Sequence, residues 1–247
     1  MIKSIASNII SLFVELRIIL YKLGIFKTHS YKCKIISIGN LKVGGTAKTP
    51  FVIFIANLIK GMGFNVGIVG KGYKRKSKGK VVFDSNNSLA PDWKEIGDEM
   101  VLIGEKTDLP VLVHDEKYLA VEAIIDQYKL DFVIIDDGYQ HLQLKRDLNI
   151  LLIDNETIQK NKLFPLGRLR EKFENYKRAD LICSIDLNEN LNNLMTDKII
   201  LKAKKVPSKI YNLNNKEVFL NDLITNKSLA ISGLANPESF YNQLKLY

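Results

Sequence analysis

At 247 residues with 46% apolar side chains, the chain can hold one large packed domain, or one domain and part of a second. Its two cysteines, Cys33 and Cys183, lie far apart and match no metal-ligand spacing, which leaves a reduced, cytoplasm-facing protein as the simplest class. The net charge of +9 is uneven: residues 1–80 hold 15 of the 36 Lys and Arg and one acid, Glu15, a segment charge of +14 that suits nucleic acid, an anionic membrane or a phosphorylated substrate.

Residues 1–27 read as an amphipathic helix. Ser4, Asn8, Ser11, Glu15 and Lys22 fall on one narrow stripe, and Ile5, Ile9, Leu12, Phe13, Leu16, Ile19, Leu20 and Leu23 are among the residues that fill the rest. Glu15 and Arg17 interrupt the apolar run, which argues against a spanning helix, and no small-residue cleavage site follows. Two readings stay open: a helix lying in a membrane interface with Lys3, Arg17, Lys22 and Lys27 near anionic headgroups, or a helix packed on the protein's own core.

The next element is the most informative. An apolar run, Ile35–Ile38, enters the loop GNLKVGGTAKTP, and a helix-compatible segment, Phe51–Ile59, follows at once. Strand, glycine loop, Lys-Thr and helix is the arrangement that cradles nucleotide phosphates. Gly44, Gly45, Thr46 and Ala47 would supply the backbone amides, Lys48 a point charge, and Thr49 a hydroxyl for Mg²⁺. A strict phosphate loop has glycine where Lys42 and Ala47 stand, so Gly44 and Gly45 are assigned the backbone freedom.

Further apolar runs at Val66–Val69, Val111–Val113, Phe132–Ile135, Ile150–Ile153 and Leu181–Ser184 alternate with helix-like stretches such as Glu116–Tyr128. The pattern predicts an α/β fold: a mainly parallel sheet of the P-loop NTPase-like α/β/α type, with ligands at the carboxyl ends of the strands. The polar residues of interest fall at those ends. GKGYKRKSKGK, Gly70–Lys80, has six basic residues in eleven and suits an anionic acceptor. Asp98 in IGDEM is placed as a helix cap or as the base for an attacking hydroxyl, with Glu99 beside it. Asp136 and Asp137 end an apolar strand as a Mg²⁺ site beside a phosphate loop requires. LFPLGRLREK carries Arg168 and Arg170, whose forks match phosphate. His29 and His114 are assigned no role, and His141 draws interest only through its closeness to Asp136 and Asp137.

Residues 198–216 read as two extended pieces around Pro207, a linker between a main domain at 28–197 and the start of a smaller α/β domain at 217–247, with a strand at Leu229–Ile231 and a helix at Pro237–Leu244.

In this order, GNLKVGGTAKTP, GKGYKR, GDEM, DDGYQH, LFPLGRLRE and ANPESFYNQL resemble the signature elements of the tetraacyldisaccharide 4′-kinase family, the lipid A kinases. The resemblance covers nearly the whole chain. It implies Mg²⁺-dependent transfer of the ATP γ-phosphate to the 4′-hydroxyl of lipid A disaccharide 1-phosphate. It also implies a monomer attached peripherally to an anionic surface, the cytoplasmic face of the bacterial inner membrane, and no nucleic-acid partner. By motif, Lys48 and Asp98 would be catalytic, residues 44–49 would bind nucleotide, and Thr49, Asp136, Asp137 and Glu99 would organise the metal. Tyr73, Arg75 and Arg170 would contact the acceptor.

The sequence departs from the family pattern at Ala47, at Lys71 and Lys74, at Met100 and at Arg168. Family members continue into a fuller second domain with an Asp-His-His segment, so the chain is expected to be C-terminally shortened. The competing readings are a membrane-associated P-loop NTPase switch and a non-catalytic remnant of the kinase.

Overall fold

The computed structural model describes residues 2–84, 92–159, 162–187, 195, 197–206, 210–212, 214, 216–219, 229–233 and 237–245. They divide between two units, Met1–Lys202 and Ala203–Tyr247.

In the first unit the order is α1 (Ile2–Lys22), β1 (Lys34–Asn40), α2 (Lys48–Gly61), β2 (Val66–Gly70), β3 (Val81–Phe83), α3 (Trp93–Ile96), α4 (Asp98–Thr107), β4 (Val111–Val113) and α5 (Lys117–Gln127). Then come β5 (Phe132–Asp136), β6 (Leu148–Ile153), α6 (Asn155–Gln159), a 3₁₀ turn (Phe173–Arg178), β7 (Leu181–Ile185) and β8 (Ile199–Ala203). All six apolar runs predicted as strands of the main domain are strands. β3, a short antiparallel edge strand, was not foreseen.

The strands form one eight-stranded sheet in the order β3-β4-β2-β5-β1-β6-β7-β8. β1 lies in the middle, parallel to β5 on one side and β6 on the other, while β3 runs antiparallel along the edge. Central strands of such a sheet are covered on both faces, so they read as unbroken apolar runs rather than alternations. β1, β2, β5 and β6 follow that rule: Ile35, Ile38, Ile68, Val69, Ile134, Ile135, Leu151 and Ile153 are all buried. Val121 and Ile124 of α5 pack with Ile35, Val69, Leu112 and Val133 in one cluster; Leu41, Tyr139, Leu151, Leu169 and Ile182 form another. The register sets Ile38 beside Asp136, so β1 and β5 deliver their loops to the same edge of the sheet.

Helix α1 reverses the usual arrangement of an amphipathic helix. Its small and polar residues turn inward: Ser7 and Ser11 are buried, the Ser7 hydroxyl donates to the Leu163 carbonyl at 3.3 Å, and Glu15 accepts from Asn175 Nδ2 at 2.9 Å. Ile2, Ile5, Ile9, Leu12, Phe13, Leu16 and Ile19 face outward, each about half exposed or more. Of the predicted polar stripe, Ser11 and Glu15 thus meet the protein, whereas Ser4, Asn8 and Lys22 are exposed. α1 therefore packs on the protein through this narrow stripe and leaves its apolar face outward. By length and composition α1 would also suffice to cross a membrane.

In the second unit β9 (Ile210–Tyr211) and β10 (Glu217–Val218) pair antiparallel, and the Asn212 side chain closes the connection by accepting from the Asn214 and Lys216 amides at 2.9 Å. α7 (Pro237–Leu244) begins at proline, whose fixed φ suits the first helical position. The strand expected at Leu229–Ile231 is irregular instead: a strand needs a ladder, and no described residue pairs with it.

Candidate active site

The phosphate loop leaves β1 at Asn40 and enters α2 at Lys48. Buried Asn40 holds it from within, its amide donating to the Gly44 carbonyl at 3.4 Å and to the Thr46 hydroxyl. Lys48 folds back over the loop, with Nζ 3.5 Å from the Gly44 carbonyl and 3.5 Å from Asp137 Oδ1. Gly45 is exposed, Thr46 buried, and Thr49 half-buried in the first turn of α2, where backbone amides lack partners within the helix. Ala47 takes the left-handed conformation, φ 54°, which costs an L-residue roughly 1–2 kcal/mol and explains why a glycine would be natural there.

Opposite, β5 ends in two aspartates with different environments. Asp136 is buried, and its Oδ1 bonds to no described group. Burial above all, with Asp137 and Glu99 adding to it and Lys117 and Lys48 opposing, pushes its carboxyl up to about 6. Asp137 sits at φ 49° and bends back toward the phosphate loop. Burial pulls its pKa upward too, but Lys48, Arg170 and Lys117 together outweigh it and hold the group at about 2. Arg170 Nη1 donates to Asp137 Oδ2 at 2.8 Å and to Gln140 Oε1 at 3.1 Å.

The turn after Asp137 passes very close to β1. A Cβ on Gly39 would stand 2.7 Å from Tyr139 Cβ and 2.8 Å from the Tyr139 amide nitrogen, so no larger residue fits there. Gln140 then bridges the two loops, its Nε2 donating to the Asn40 carbonyl and to Glu171 Oε1, both at 2.8 Å. Glu171, almost fully buried, pairs with Arg178 Nη2 at 2.6 Å.

Lys117, at the start of α5, is the site residue that sequence reasoning missed. Its side chain is buried, and Nζ donates to the carbonyls of Asp136 and Asp137. Burial brings its pKa down to about 8, against the pull of Asp137 and Asp136. A signal existed: Lys117 continues the stripe of Ala120, Val121 and Ile124, and a lysine on the apolar face of a helix is unusual. Gln140, Glu171 and Asn40 were likewise missed. His141 is pushed down to about 3, by burial first and then by Lys117, and is neutral at pH 7.

The remaining predicted residues separate into two groups. Asp98 and Glu99 open α4, and Glu99 lies within the electrostatic reach of this cluster. Partial enclosure, Asp98 and Asp137 raise the Glu99 carboxyl, and Lys48 opposes them. Asp98 is the first residue of α4 rather than its cap: Gly97 occupies the cap position, at φ 93°, and Asp98 Oδ1 accepts from the Glu99 amide at 2.9 Å. Tyr73 is largely exposed, with Lys74 Nζ 5.3 Å from its ring centre. Arg75 is not offered to solvent. Its side chain is 4% exposed and is taken up by Asp115 at 3.0 Å, Ser77 at 3.3 Å and the Gly79 carbonyl at 2.8 Å. As placed, Arg75 shapes the basic loop.

The donor set fits a nucleotide with Mg²⁺. Asp136 and Asp137 each keep one buried carboxylate oxygen without a hydrogen bond, beside the turn that holds Thr49. Among the described residues no three His, Cys, Asp or Glu form a closed metal cluster. The site therefore suits a cation that draws its other ligands from phosphate and water.

The chain is similar to known proteins along nearly its whole length. The family model for Tetraacyldisaccharide-1-P 4′-kinase matches residues 2–246. The tetraacyldisaccharide 4′-kinase of Coxiella burnetii (strain CbuK_Q154) is 33% identical over 241 residues, covering 97% of this chain and 68% of the relative. That of Halothermothrix orenii is 32% identical over 271 residues, covering 99% and 70%. The crystal structure of the "apo" form of LpxK from Aquifex aeolicus in complex with ATP superposes with a TM-score of 0.79 at 30% identity, covering 97% of this chain and 76% of that one.

Proposed function

The chain belongs to the tetraacyldisaccharide-1-P 4′-kinase family, and we propose that it transfers the γ-phosphoryl group of ATP to the 4′-hydroxyl of a tetraacyldisaccharide 1-phosphate in lipid A biosynthesis. One observation carries the reading. Lys48, Asp137 and Arg170 converge in one ion-paired set where β1 and β5 end, beside an Asp136 oxygen left without a hydrogen bond. Phosphoryl transfer asks a protein chiefly for positioning and charge neutralisation, and this set supplies both.

In this reading the amides of residues 44–47 and the α2 N-terminus receive the phosphates, and Lys48 adds a mobile positive charge. Thr49, Asp136, Asp137 and Glu99 would hold Mg²⁺, which neutralises charge on the β- and γ-phosphates when bound. Asp98 accepts the proton of the attacking hydroxyl as the new O–P bond forms and ADP departs with the bridging oxygen. Arg170 and Lys117 position the aspartate turn, and Tyr73 offers an exposed ring to the acceptor.

We further propose that the chain is a monomer attached peripherally to the cytoplasmic face of the inner membrane; the outward apolar face of α1 supports the attachment. Exposed apolar patches this large mark membrane or partner surfaces. The anchoring of Ser7, Ser11 and Glu15 to the protein argues for a helix lying in the interface rather than crossing it.

The test is radiolabelled ATP with Mg²⁺ and the disaccharide 1-phosphate in detergent. Label appearing at the 4′ position is expected. ATP hydrolysis at the same rate with and without acceptor would overturn the kinase reading in favour of a nucleotide switch.

A further inference from the structure

We propose that Glu156 is a positioning residue for nucleotide: through Lys42 and Arg168 it holds the phosphate loop in its binding shape before nucleotide arrives. The proposal rests on the kinase reading for what the loop binds, not for which acceptor is used.

The loop lacks both glycines of the strict pattern, and the replacement at its start is tied down. The Lys42 side chain turns inward, 2% exposed, and Nζ lies 2.7 Å from Asp154 Oδ2 and 2.5 Å from Glu156 Oε2. Arg168 reaches the same carboxylate, its Nη1 meeting the two Glu156 oxygens at 2.9 and 3.1 Å. Its Nε donates to the Val43 carbonyl at 3.1 Å. Glu156 is thus gripped by two cations that both belong to, or bond, the phosphate loop. Burial alone would raise its carboxyl, but Lys42 and Arg168 keep it below the usual range.

Main-chain bonds run alongside the ionic ones. The Val43 amide donates to the Arg168 carbonyl at 2.8 Å, Lys42 bridges Leu169 antiparallel, and the Arg170 amide donates to the Leu41 carbonyl at 2.7 Å. Arg168 lies across Gly44 so closely that a Cβ there would fall 2.0 Å from Nη2. The start of α6, the helix that carries Glu156, is fixed in turn. Asp154 Oδ1 accepts from the Thr157 amide at 3.0 Å and the Thr157 hydroxyl at 2.7 Å, while its other oxygen pairs with Lys42.

Among the described residues, neither Glu156 nor Arg168 has a bond or ion pair with Lys48, Asp98, Asp136 or Asp137. Their influence on the reacting atoms therefore passes through the loop. Fixing a loop in its bound shape reduces the ordering cost that a ligand would otherwise meet. Loosening it should weaken nucleotide affinity more than it slows the chemistry.

The experiment measures binding of a fluorescent ATP analogue with Mg²⁺ to the full chain, alongside steady-state kinetics. Glu156→Gln is expected to weaken nucleotide Kd about tenfold, equivalent to about 1.4 kcal/mol. Its kcat at saturating ATP and its KM for acceptor should stay within about threefold of wild type. Arg168→Gln should act in the same direction, and the double variant should fall short of the sum of the two, because both changes break the shared Glu156–Arg168 pair. Unchanged Kd in Glu156→Gln, strictly additive effects, or lost kcat at unaltered Kd would each overturn the proposal. Should Glu156→Gln fail to fold, Arg168→Gln, with its side chain 41% exposed, decides alone: unchanged Kd overturns the proposal. Wild-type chain that binds nucleotide but never phosphorylates the acceptor would sink the kinase reading and leave this one standing.

Discussion

The phosphate site and helix α1 are inverted in opposite senses. At the ends of β1 and β5 the chain buries charge: Asp136, Lys117, Glu171 and Lys42 are all under 7% exposed. Along α1 it exposes hydrocarbon, with Leu12 and Phe13 more than two-thirds exposed while serines are buried. Ordinary globular surfaces do neither on this scale. Each inversion has a partner whose chemistry resolves it. Phosphate and Mg²⁺ suit the unbonded carboxylate oxygens and the surplus cations, and a lipid surface suits the apolar face. The two regions should therefore fail separately when substituted.

The largest separation is expected at Lys48. Lys48→Ala should lower phosphoryl transfer about a thousandfold, as removal of a preorganised charge does elsewhere, while vesicle binding is retained. Transfer at near wild-type rate would remove Lys48 from the machinery. Next comes Asp98→Ala, with a loss of about a hundredfold or more if it receives the acceptor proton. A loss confined to KM for the acceptor would make Asp98 a binding group instead.

On α1, replacing Leu12 and Phe13 together by Glu leaves the inward stripe intact. Vesicle cosedimentation should fall about tenfold or more, with unfolding free energy changed by less than about 0.5 kcal/mol. Equal sedimentation of variant and wild type would mean that α1 is not the membrane contact.

A smaller effect separates the buried site by pH. The His141 pKa is lowered in the fold, so its contribution to stability is fully present above the unfolded value of about 6.5 and is lost as pH falls from there toward about 3. The loss is up to about 1.4 kcal/mol per pH unit. Between pH 6.5 and 4, His141→Gln should show a shallower decline of Tm than wild type; parallel curves would contradict the burial argument. The smallest effect is at Ala47. Ala47→Gly should relieve left-handed strain and stabilise the apo protein by about 1 kcal/mol, read from denaturant midpoints.

Much of the fold was legible because parallel strands announce themselves as short apolar runs, and the phosphate loop because its chemistry is local in sequence. Asp136 and Asp137 were legible for the same reason, standing at the end of such a run. Their different environments were not: Asp137 owes its low pKa to Lys48, Arg170 and Lys117, which come from three distant segments. The surroundings of Arg75 were not legible either: a basic loop at a ligand edge suggests an anion, and the pairing of its guanidinium with Asp115, just after β4, leaves no mark in the sequence. The orientation of α1 was hidden as well. Periodicity gives the stripe, but which side meets the protein depends on Leu163 and Asn175, more than 150 residues away.

The segment from Leu163 to Asn175 touches α1 at both of its ends and pairs with residues 41–43 in between. An enzyme seated in the interface by α1 would therefore keep its phosphoryl donor one short loop from the bilayer. The acceptor would reach it by lateral diffusion in two dimensions, so turnover would follow surface density rather than bulk molarity. In mixed micelles at fixed total acceptor, diluting the surface with inert detergent would then slow the reaction, although nothing in solution had changed.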